Sequence, residues 1–294
     1  AQIPRGAIVV RNPNGTAPAF IVETDRGVTI SLPGVPFEMK WLGENEVIPY
    51  LRKKFGLTQM IHYRVLKVAD LGESAVDDQI GHLIAESKNP TVGILAHPGQ
   101  VDVRITARAE TIKHANTLIN DVDSKVRKLL GDNVFAVDGQ TIESIIGELL
   151  IKSKSTVATC EDLSGGSVAA AMQDAAGSAL LQSSTVNSDH SLDKIALAGG
   201  ETPPFAGGVQ LTAALARAIR TTSGATYGIA VHGIEEGGQR TENLGRGETY
   251  IAISGPYGER TRHVRSAGRG APDRKRAAMG TLSLFRRDLL GLDG

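Results

Sequence analysis

The amino-acid sequence has little of several features that would point to a particular class of protein. Among its 294 residues there is one cysteine, Cys160, which excludes an internal disulfide framework and fits a reducing compartment such as the cytoplasm. Basic and acidic residues both number 32, so the formal net charge is zero. This balance gives no overall attraction to nucleic acid or to an acidic membrane surface.

Long apolar runs and metal-binding patterns are also missing. No run approaches the roughly 20 apolar residues of a membrane span, and no signal-peptide pattern opens the chain. The seven histidines are scattered, without paired cysteines or acidic clusters at metal-ligand spacing. We therefore expect a cytoplasmic protein with no membrane segment, no metal and no cofactor. The chain opens on Ala1 and runs straight into strand-like sequence, which is typical of a fragment.

What is present is typical of a globular protein with two or three domains. Hydrophobic residues make up 41% of the chain and charged residues 22%. The first block, residues 1–56, has three short apolar runs separated by turn sequences, followed by one helix. One helix cannot cover both faces of a sheet, so this partial α/β block should associate with something else. We expect a homo-oligomer, with these residues at or near a contact: Trp41, Leu42, Ile48 and Phe55.

The second block, residues 57–151, alternates strands and helices and predicts a small α+β domain. Ser74 begins a capping-box pattern, and residues 91–107 predict a hairpin around HPGQ. From Ile112, apolar residues recur at steps of three and four, which predicts an amphipathic helix that Gly131 ends. The third block, residues 152–294, predicts an α/β domain. Its expected strands are 156–160, 226–231, 248–253 and 261–265, and its expected helices are 165–175, 207–220 and 274–290.

The most informative segment of the third block is TCEDLSGG, residues 159–166. A strand ends here and two glycines open a helix, and ligands collect beyond the carboxyl ends of strands in open α/β sheets. Free N–H groups of such a helix favour an anion, and Gly165 and Gly166 would let a phosphate approach the backbone. Alternatively this is an ordinary helix start with Asp162 or Ser164 as the N-cap. The charges of Glu161 and Asp162 oppose a phosphate.

Other polar residues have a functional and a structural interpretation. Lys194 lies in a polar stretch, where it could contact a phosphate or move a proton, or simply end a solvated helix. His232 follows strand 226–231 and could enter the same crevice, although lone histidines are more often structural. The basic C-terminus is interspersed with aspartates and poor in aromatic residues, so a solvated helix face is favoured over nucleic-acid binding. The second block shows no Gly-x-x-Gly loop, so no specific nucleic-acid partner is expected.

Two segments of the first block carry a resemblance to a known family. Residues 32–40, LPGVPFEMK, resemble the loop and helix start near the end of the MoaB-like domain of CinA-family proteins. Residues 12–18, NPNGTAP, match an earlier turn of that domain. The resemblance therefore assigns residues 1–56 to the C-terminal part of a MoaB-like domain, whose nucleotide-binding front is missing here.

The resemblance continues through the other two blocks in the family's order. The second block, with LGES at 71–74 and NPTV at 89–92, resembles the family's KH-like domain, which assigns residues 57–151 to it. Residues 156–166, TVATCEDLSGG, are similar to the family's AESCTGG signature, which assigns residues 152–294 to its C-terminal deamidase-like domain. The chain is thus identified as a member of the CinA family.

This resemblance implies two activities for the whole protein. CinA proteins combine ADP-ribose pyrophosphatase activity in the MoaB-like domain with nicotinamide mononucleotide deamidase activity in the C-terminal domain. The deamidase hydrolyses an amide, releases ammonia and leaves nicotinate mononucleotide. In the family a signature serine attacks the amide, and a tyrosine and a lysine assist it, as amide hydrolysis requires a nucleophile and its activating groups.

The sequence departs from this pattern where the chemistry is expected. The family's serine position falls on Asp162, its threonine position on Ser164 and its tyrosine position on Asp189, whereas the lysine is kept as Lys194. A family arginine is replaced or displaced, with Arg269 as the nearest candidate, and the usual glycine-rich loop reads EEGG at 235–238. A carboxylate could attack an amide only through an anhydride, and added negative charge would repel a phosphorylated substrate.

Two hypotheses follow for the C-terminal domain. The first is a non-catalytic, nucleotide-binding or regulatory remnant that takes a pyridine nucleotide or a related small phosphorylated ligand. Its contacts would be Gly165, Gly166, His232 and Arg269, with an internal ion pair between Lys194 and the carboxylates of Asp162 and Asp189. The second is a working amidohydrolase with altered chemistry, for which the pocket candidates are Glu161, Ser164 and Lys194. In a longer chain, the remnant could serve a pyrophosphatase domain upstream, so that the chain would be part of an ADP-ribose pyrophosphatase.

Overall fold

The structure is a computed structural model, and it describes residues 2–186, 189–205, 208–233, 248–265 and 271–292. The chain divides into two compact units. The first comprises Ala1–His62 and Arg108–Asn116, and the second comprises Tyr63–Ala107 and Thr117–Gly294. Within the described part, no helix is long and apolar enough to cross a bilayer.

The first unit is built on an antiparallel meander. The order of its strands is β1 (Ile8–Val10), β2 (Ala19–Thr24) and β3 (Gly27–Ser31), with β2 in the centre. Helix α1 (Pro36–Leu42) continues through a π-helical turn, Gly43–Val47, into α2 (Ile48–Phe55).

The helical residues expected at an intersubunit contact separate into two groups. Leu42 is fully buried against Val10 and Ile21 of the same unit, so it cannot reach another chain, whereas Ile48 and Phe55 are exposed. Leu42 thus packs inside its own unit, and an oligomeric contact at or near this helix stays a prediction.

Two of the segments that carried the resemblance meet in this unit. Asn12 Nδ2 donates to Glu38 Oε2 at 2.6 Å, and Glu38 is 9% exposed. A β-carbon added at Gly15 would lie 2.3 Å from the same carboxylate oxygen. Glycine at this turn therefore leaves the space that Glu38 occupies.

The middle of the chain forms a four-stranded sheet with two long helices. The order in the sheet is β5-β6-β4-β7, and the strands are β4 (Met60–Val68), β5 (Thr91–His97), β6 (Gln100–Ala109) and β7 (Val134–Val137). Helices α3 (Glu73–Glu86) and α4 (Ile112–Leu130) belong to the same region. The hairpin and the amphipathic helix are confirmed, and so is the α+β class. The capping box at Ser74 is wrong, because α3 begins at Glu73 after Gly72 and has no side-chain cap.

The C-terminal part is a five-stranded sheet between two layers of helices. The strand order is β12-β11-β10-β8-β9, with β9, β8 and β10 parallel and β11 and β12 antiparallel. The strands are β8 (Val157–Glu161), β9 (Leu180–Thr185), β10 (Tyr227–Gly233), β11 (Glu248–Gly255) and β12 (Gly258–Arg265). The helices are α5 (Ile142–Ser153), α6 (Ser167–Ala176), α7 (Asp189–Ala198), α8 (Gly208–Ser223) and α9 (Ala271–Leu289). The α/β prediction for this part is confirmed.

Side chains of these strands point alternately to the two faces of the sheet and pack against the two helical layers. Val157 and Ile229 point into the core shared with α5, α6 and α9, whereas Ala158 and Ala230 point into the core shared with α7 and α8. The core on the first face also includes Phe135 of β7, so the middle sheet and the C-terminal sheet share one apolar core. This continuity agrees with their assignment to one compact unit.

Candidate functional site

The candidate site lies where β8 and β10 end. These strands are adjacent and parallel, so their carboxyl ends meet at one edge of the sheet. Asp162 and the two glycines follow β8, and His232 is the penultimate residue of β10. The register of the two strands thus brings Asp162 and His232 to the same edge of the sheet.

The carboxylate of Asp162 ties the ends of β8 and β10 together. Its Oδ2 lies 2.7 Å from His232 Nδ1, and its Oδ1 accepts a hydrogen bond from the Gly233 backbone N–H at 2.8 Å. Oδ1 also accepts from the backbone N–H of Leu163. The side chain of Asp162 is 10% exposed and that of His232 is 3% exposed. Both groups are therefore held in place and largely removed from solvent.

Glu161 serves as the cap of α6. Its Oε2 accepts from the Val168 N–H at 3.0 Å and from Ser164 Oγ at 2.6 Å, and its Oε1 accepts from the Ala169 N–H at 2.8 Å. Glu161 is fully buried. The first N–H groups of a helix have no intrahelical acceptor, and this carboxylate accepts from two of them. Its negative charge also interacts favourably with the positive end of the helix dipole. Asp162 and Ser164 are therefore not the N-cap, which is Gly166.

Neither small nucleophile of this turn is accessible. Ser164 is 1% exposed, and its hydroxyl already donates to Glu161. Cys160 is 1% exposed, and burial raises the pKa of its thiol to about 12, with further contributions from the negative charges of Asp162 and Glu161. Because the thiolate is the reactive form of cysteine, Cys160 is inert at neutral pH.

The glycine turn has one cationic neighbour that sequence reasoning missed. Gly165 and Gly166 have φ angles of +62° and +84°, which only glycine adopts readily. A β-carbon at Gly165 would lie 3.9 Å from Nη1 of Arg274, and one at Gly166 would lie 3.2 Å from Thr185 Oγ1. Arg274 is exposed on the first turn of α9. The sequence has many basic residues near its C-terminus, and no local pattern separates Arg274 from the others. Only the packing of α9 against the glycine turn brings Arg274 to this site.

The remaining predicted site residues stand apart from this arrangement. Lys194 is exposed on α7, and among the described contacts no ion pair joins it to Asp162. The contact that the structure gives Asp162 is with His232, and the ion pair of Lys194 with Asp162 and Asp189 stays a prediction. Asp189 begins α7, but its side chain lies outside the described part of the structure. Arg269 and the loop 235–238 also lie outside the described residues.

His232 begins a row of rings across the sheet. Its ring stacks on Tyr250 at 6.2 Å between centroids, and Tyr250 stacks on His263 at 4.7 Å. Glu248 Oε2 accepts from the Tyr250 hydroxyl at 2.7 Å and lies 3.3 Å from His263 Nε2. In the described part of the chain, no group of three or more His, Cys, Asp or Glu side chains could hold a metal ion. The row thus packs His232 of β10 against Tyr250 of β11, and Tyr250 against His263 of β12.

Comparison with known proteins identifies the two C-terminal regions. Residues 63–136 match the KH domain of damage-inducible protein CinA, and residues 139–289 match the CinA C-terminal domain. A solved CinA superfamily protein from Enterobacter cloacae is 21% identical, with a TM-score of 0.46 over 53% of this chain and 97% of that one.

Relatives of known sequence extend the match to almost the whole chain. A CinA-like protein of Frankia casuarinae is 35% identical over 299 residues, which cover 99% of this chain and 69% of the relative. A competence-damage inducible protein of Clostridium botulinum strain Okra is 35% identical over 86% of this chain, and the match spans only 62% of that relative. With both domain matches and this identity, the chain belongs to the CinA family.

Proposed function

We propose that the C-terminal domain binds a small phosphorylated nucleotide of the pyridine class and does not hydrolyse its amide. Such a domain would bind the nucleotide as a signal and regulate the rest of the protein. The single observation that carries the proposal is the set of hydrogen bonds made by the Asp162 carboxylate. The carboxylate at the family's nucleophile position is committed to His232 and to two backbone N–H groups.

The burial of Ser164 and Cys160 supports binding without hydrolysis. Amide hydrolysis needs a nucleophile that can approach the carbonyl carbon and a base that can take its proton. In the described turn, Ser164 is buried under Glu161, and Cys160 is buried with its pKa raised to about 12. Asp162 cannot approach a substrate without giving up the hydrogen bonds that join β8 to β10.

The charge distribution supports a phosphate at the glycine turn. The carboxylate of Asp162 contacts the imidazole of His232, and that of Glu161 accepts from the first turn of α6, so both negative charges have partners within the protein. Arg274 supplies an exposed guanidinium beside Gly165, and Thr185 supplies a hydroxyl beside Gly166. Guanidinium and hydroxyl groups next to a glycine backbone are suited to phosphate oxygens.

Two measurements on the purified chain test the proposal. Titration calorimetry with nicotinamide mononucleotide should show binding, while a coupled assay should detect no ammonia above the spontaneous rate. Arg274→Gln should weaken binding about tenfold, because it removes one charge-assisted contact. Arg276→Gln is the matched control, because Arg276 lies two residues further along α9 and pairs with Asp273 at 2.7 Å. Ammonia release at about 1 per second or faster, an ordinary enzymatic rate, would contradict the proposal.

A second candidate function rests on the contact between Asp162 and His232. A carboxylate that fixes Nδ1 of an imidazole orients Nε2 to accept a proton from water, and amide hydrolysis could then proceed by direct water attack. This candidate requires ammonia release that is lost in His232→Asn and retained in Ser164→Ala. Turnover that depends on His232 would favour it, and absence of turnover in the unmodified chain would reject it.

A further inference from the structure

The strand β9 is an unusual edge of the C-terminal sheet. It is hydrogen-bonded to β8 on one side and, among the described strands, to none on the other. Parallel strands are normally covered on both faces, yet Leu181 is 49% exposed, and Gln182, Ser183 and Thr185 are exposed too. The exposure therefore affects both faces of the strand as well as its edge.

The opposite edge of the same sheet is protected in the usual way. Strand β12 carries Glu259, Arg260 and Arg262, and charged side chains on an edge discourage pairing with another chain. Strand β9 reads Leu-Leu-Gln-Ser-Ser-Thr, with no charge and no proline. Its one irregularity is a register shift against Val157 and Ala158, after which residues 182–185 pair regularly with β8.

The hydrogen bonding to β8 determines which backbone groups face outward. The Val186 N–H donates to the Glu161 carbonyl at 2.8 Å, so this residue directs its N–H towards β8. Successive residues of a strand direct their N–H and C=O groups to alternate sides. Residues 182 and 184 therefore face β8, and Ser183 and Thr185 present their N–H and C=O groups at the open edge.

We propose that β9 pairs antiparallel with β9 of a second copy of this chain, around a two-fold axis at Ser183. Ser183 of each copy then exchanges both backbone hydrogen bonds with its counterpart, and two five-stranded sheets become continuous. Self-pairing suits this edge electrostatically, because no like charges meet along an uncharged strand. Thr185 lies beside Gly166, so the second copy borders the glycine turn. This interface does not depend on nucleotide binding.

Light scattering after size exclusion tests the interface with one added charge. The unmodified chain should have at least twice the 31.0 kDa mass of one copy, and Ser183→Lys should halve the mass measured for the unmodified chain. Ser74→Lys is the matched control, since it adds the same charge at an exposed serine of α3 and should leave the mass unchanged. A single-copy mass for the unmodified chain, or an unchanged mass for Ser183→Lys, would overturn the proposal.

Cross-linking tests the register even if Ser183→Lys fails to fold. A residue on the axis of a hydrogen-bonded pair lies about 5.5 Å from its counterpart between α-carbons, within the range of a disulfide. Ser183→Cys should therefore give a covalent dimer on oxidation, which a reductant reverses. The native Cys160 does not compete, because it is buried. Ser74→Cys is the control and should give little covalent dimer. If Ser183→Cys gives no more covalent dimer than Ser74→Cys, β9 does not meet its counterpart.

Discussion

At the scale of single residues, Glu161 and Asp162 are adjacent carboxylates with different partners. Glu161 accepts from α6 and Asp162 accepts from β10, so the turn between them is held at both ends. We expect Glu161→Ala to lower the free energy of unfolding by about 1–3 kcal/mol, because buried N–H groups lose their acceptor. Urea denaturation measures the loss, with exposed Glu86→Ala as the control. Equal stability of the two variants would show that Glu161 is not a cap.

Cys160 offers a second residue-scale prediction through its reactivity. Burial raises the pKa of the Cys160 thiol to about 12, so the fraction of thiolate remains negligible at pH 8 and rises only as the pH approaches 12. We expect a thiol reagent to leave the folded chain unlabelled at pH 8 and to label it completely in denaturant. Ser74→Cys is the positive control, because it places a thiol at an exposed position of α3. Rapid labelling of the folded native chain would contradict the burial of Cys160.

The residue types at the site could be predicted from the sequence, but their partners could not. The end of β8, the two glycines and the position of His232 at a strand end follow from local patterns. The contact of Asp162 with His232 depends on the register of two strands that are distant in sequence, which no local pattern specifies. The same is true of Arg274, whose position beside Gly165 depends on how α9 packs.

At the scale of elements, helix α8 packs unusually closely on strand β10. A β-carbon at Gly228 would lie 2.0 Å from the carbonyl oxygen of Ala216, so Gly228→Ala should push the helix from the sheet. We expect a loss of about 1–3 kcal/mol in the free energy of unfolding, as for overpacked cores. Gly93→Ala is the matched control, since Gly93 lies in a strand with nothing within 4 Å of the added carbon. A thermal melt that leaves Gly228→Ala as stable as the control would contradict this packing.

The starts of helices show where sequence patterns succeed and where they fail. The amphipathic period of α4 is strong enough to predict the helix, because it reflects burial along its whole length. Capping depends on one or two residues, and the pattern at Ser74 lies one residue inside α3. The capping box that forms is at Thr141 and Ser144, where the two residues bond each other's backbone at the start of α5. A serine at the N3 position replaces the usual glutamate, so the sequence pattern does not identify it.

At the scale of the whole molecule, the middle sheet shares an apolar core with one face of the C-terminal sheet. Asp70, which follows β4, accepts from Arg262 of β12 at 2.5 Å and from Ser283 of α9 at 2.7 Å. We expect Asp70→Asn to reduce hydrogen-exchange protection of β7 and β10 together, because both strands border the shared core. Asp174→Asn on the exposed face of α6 is the control. Loss of protection in β7 alone would show that the two sheets open independently.

The pairing of Asp162 with His232 also restricts how this site can change by substitution. If Asp162 alone became serine, the buried ring of His232 would lose the acceptor on its Nδ1 side. If His232 alone changed, a largely buried carboxylate would lose its counterpart. Either single substitution is therefore costlier than the two together, and a lineage can replace this pair only through a less stable intermediate. The two positions should therefore vary in concert among descendants, and a stable replacement of Asp162 by mutagenesis requires changing His232 at the same time.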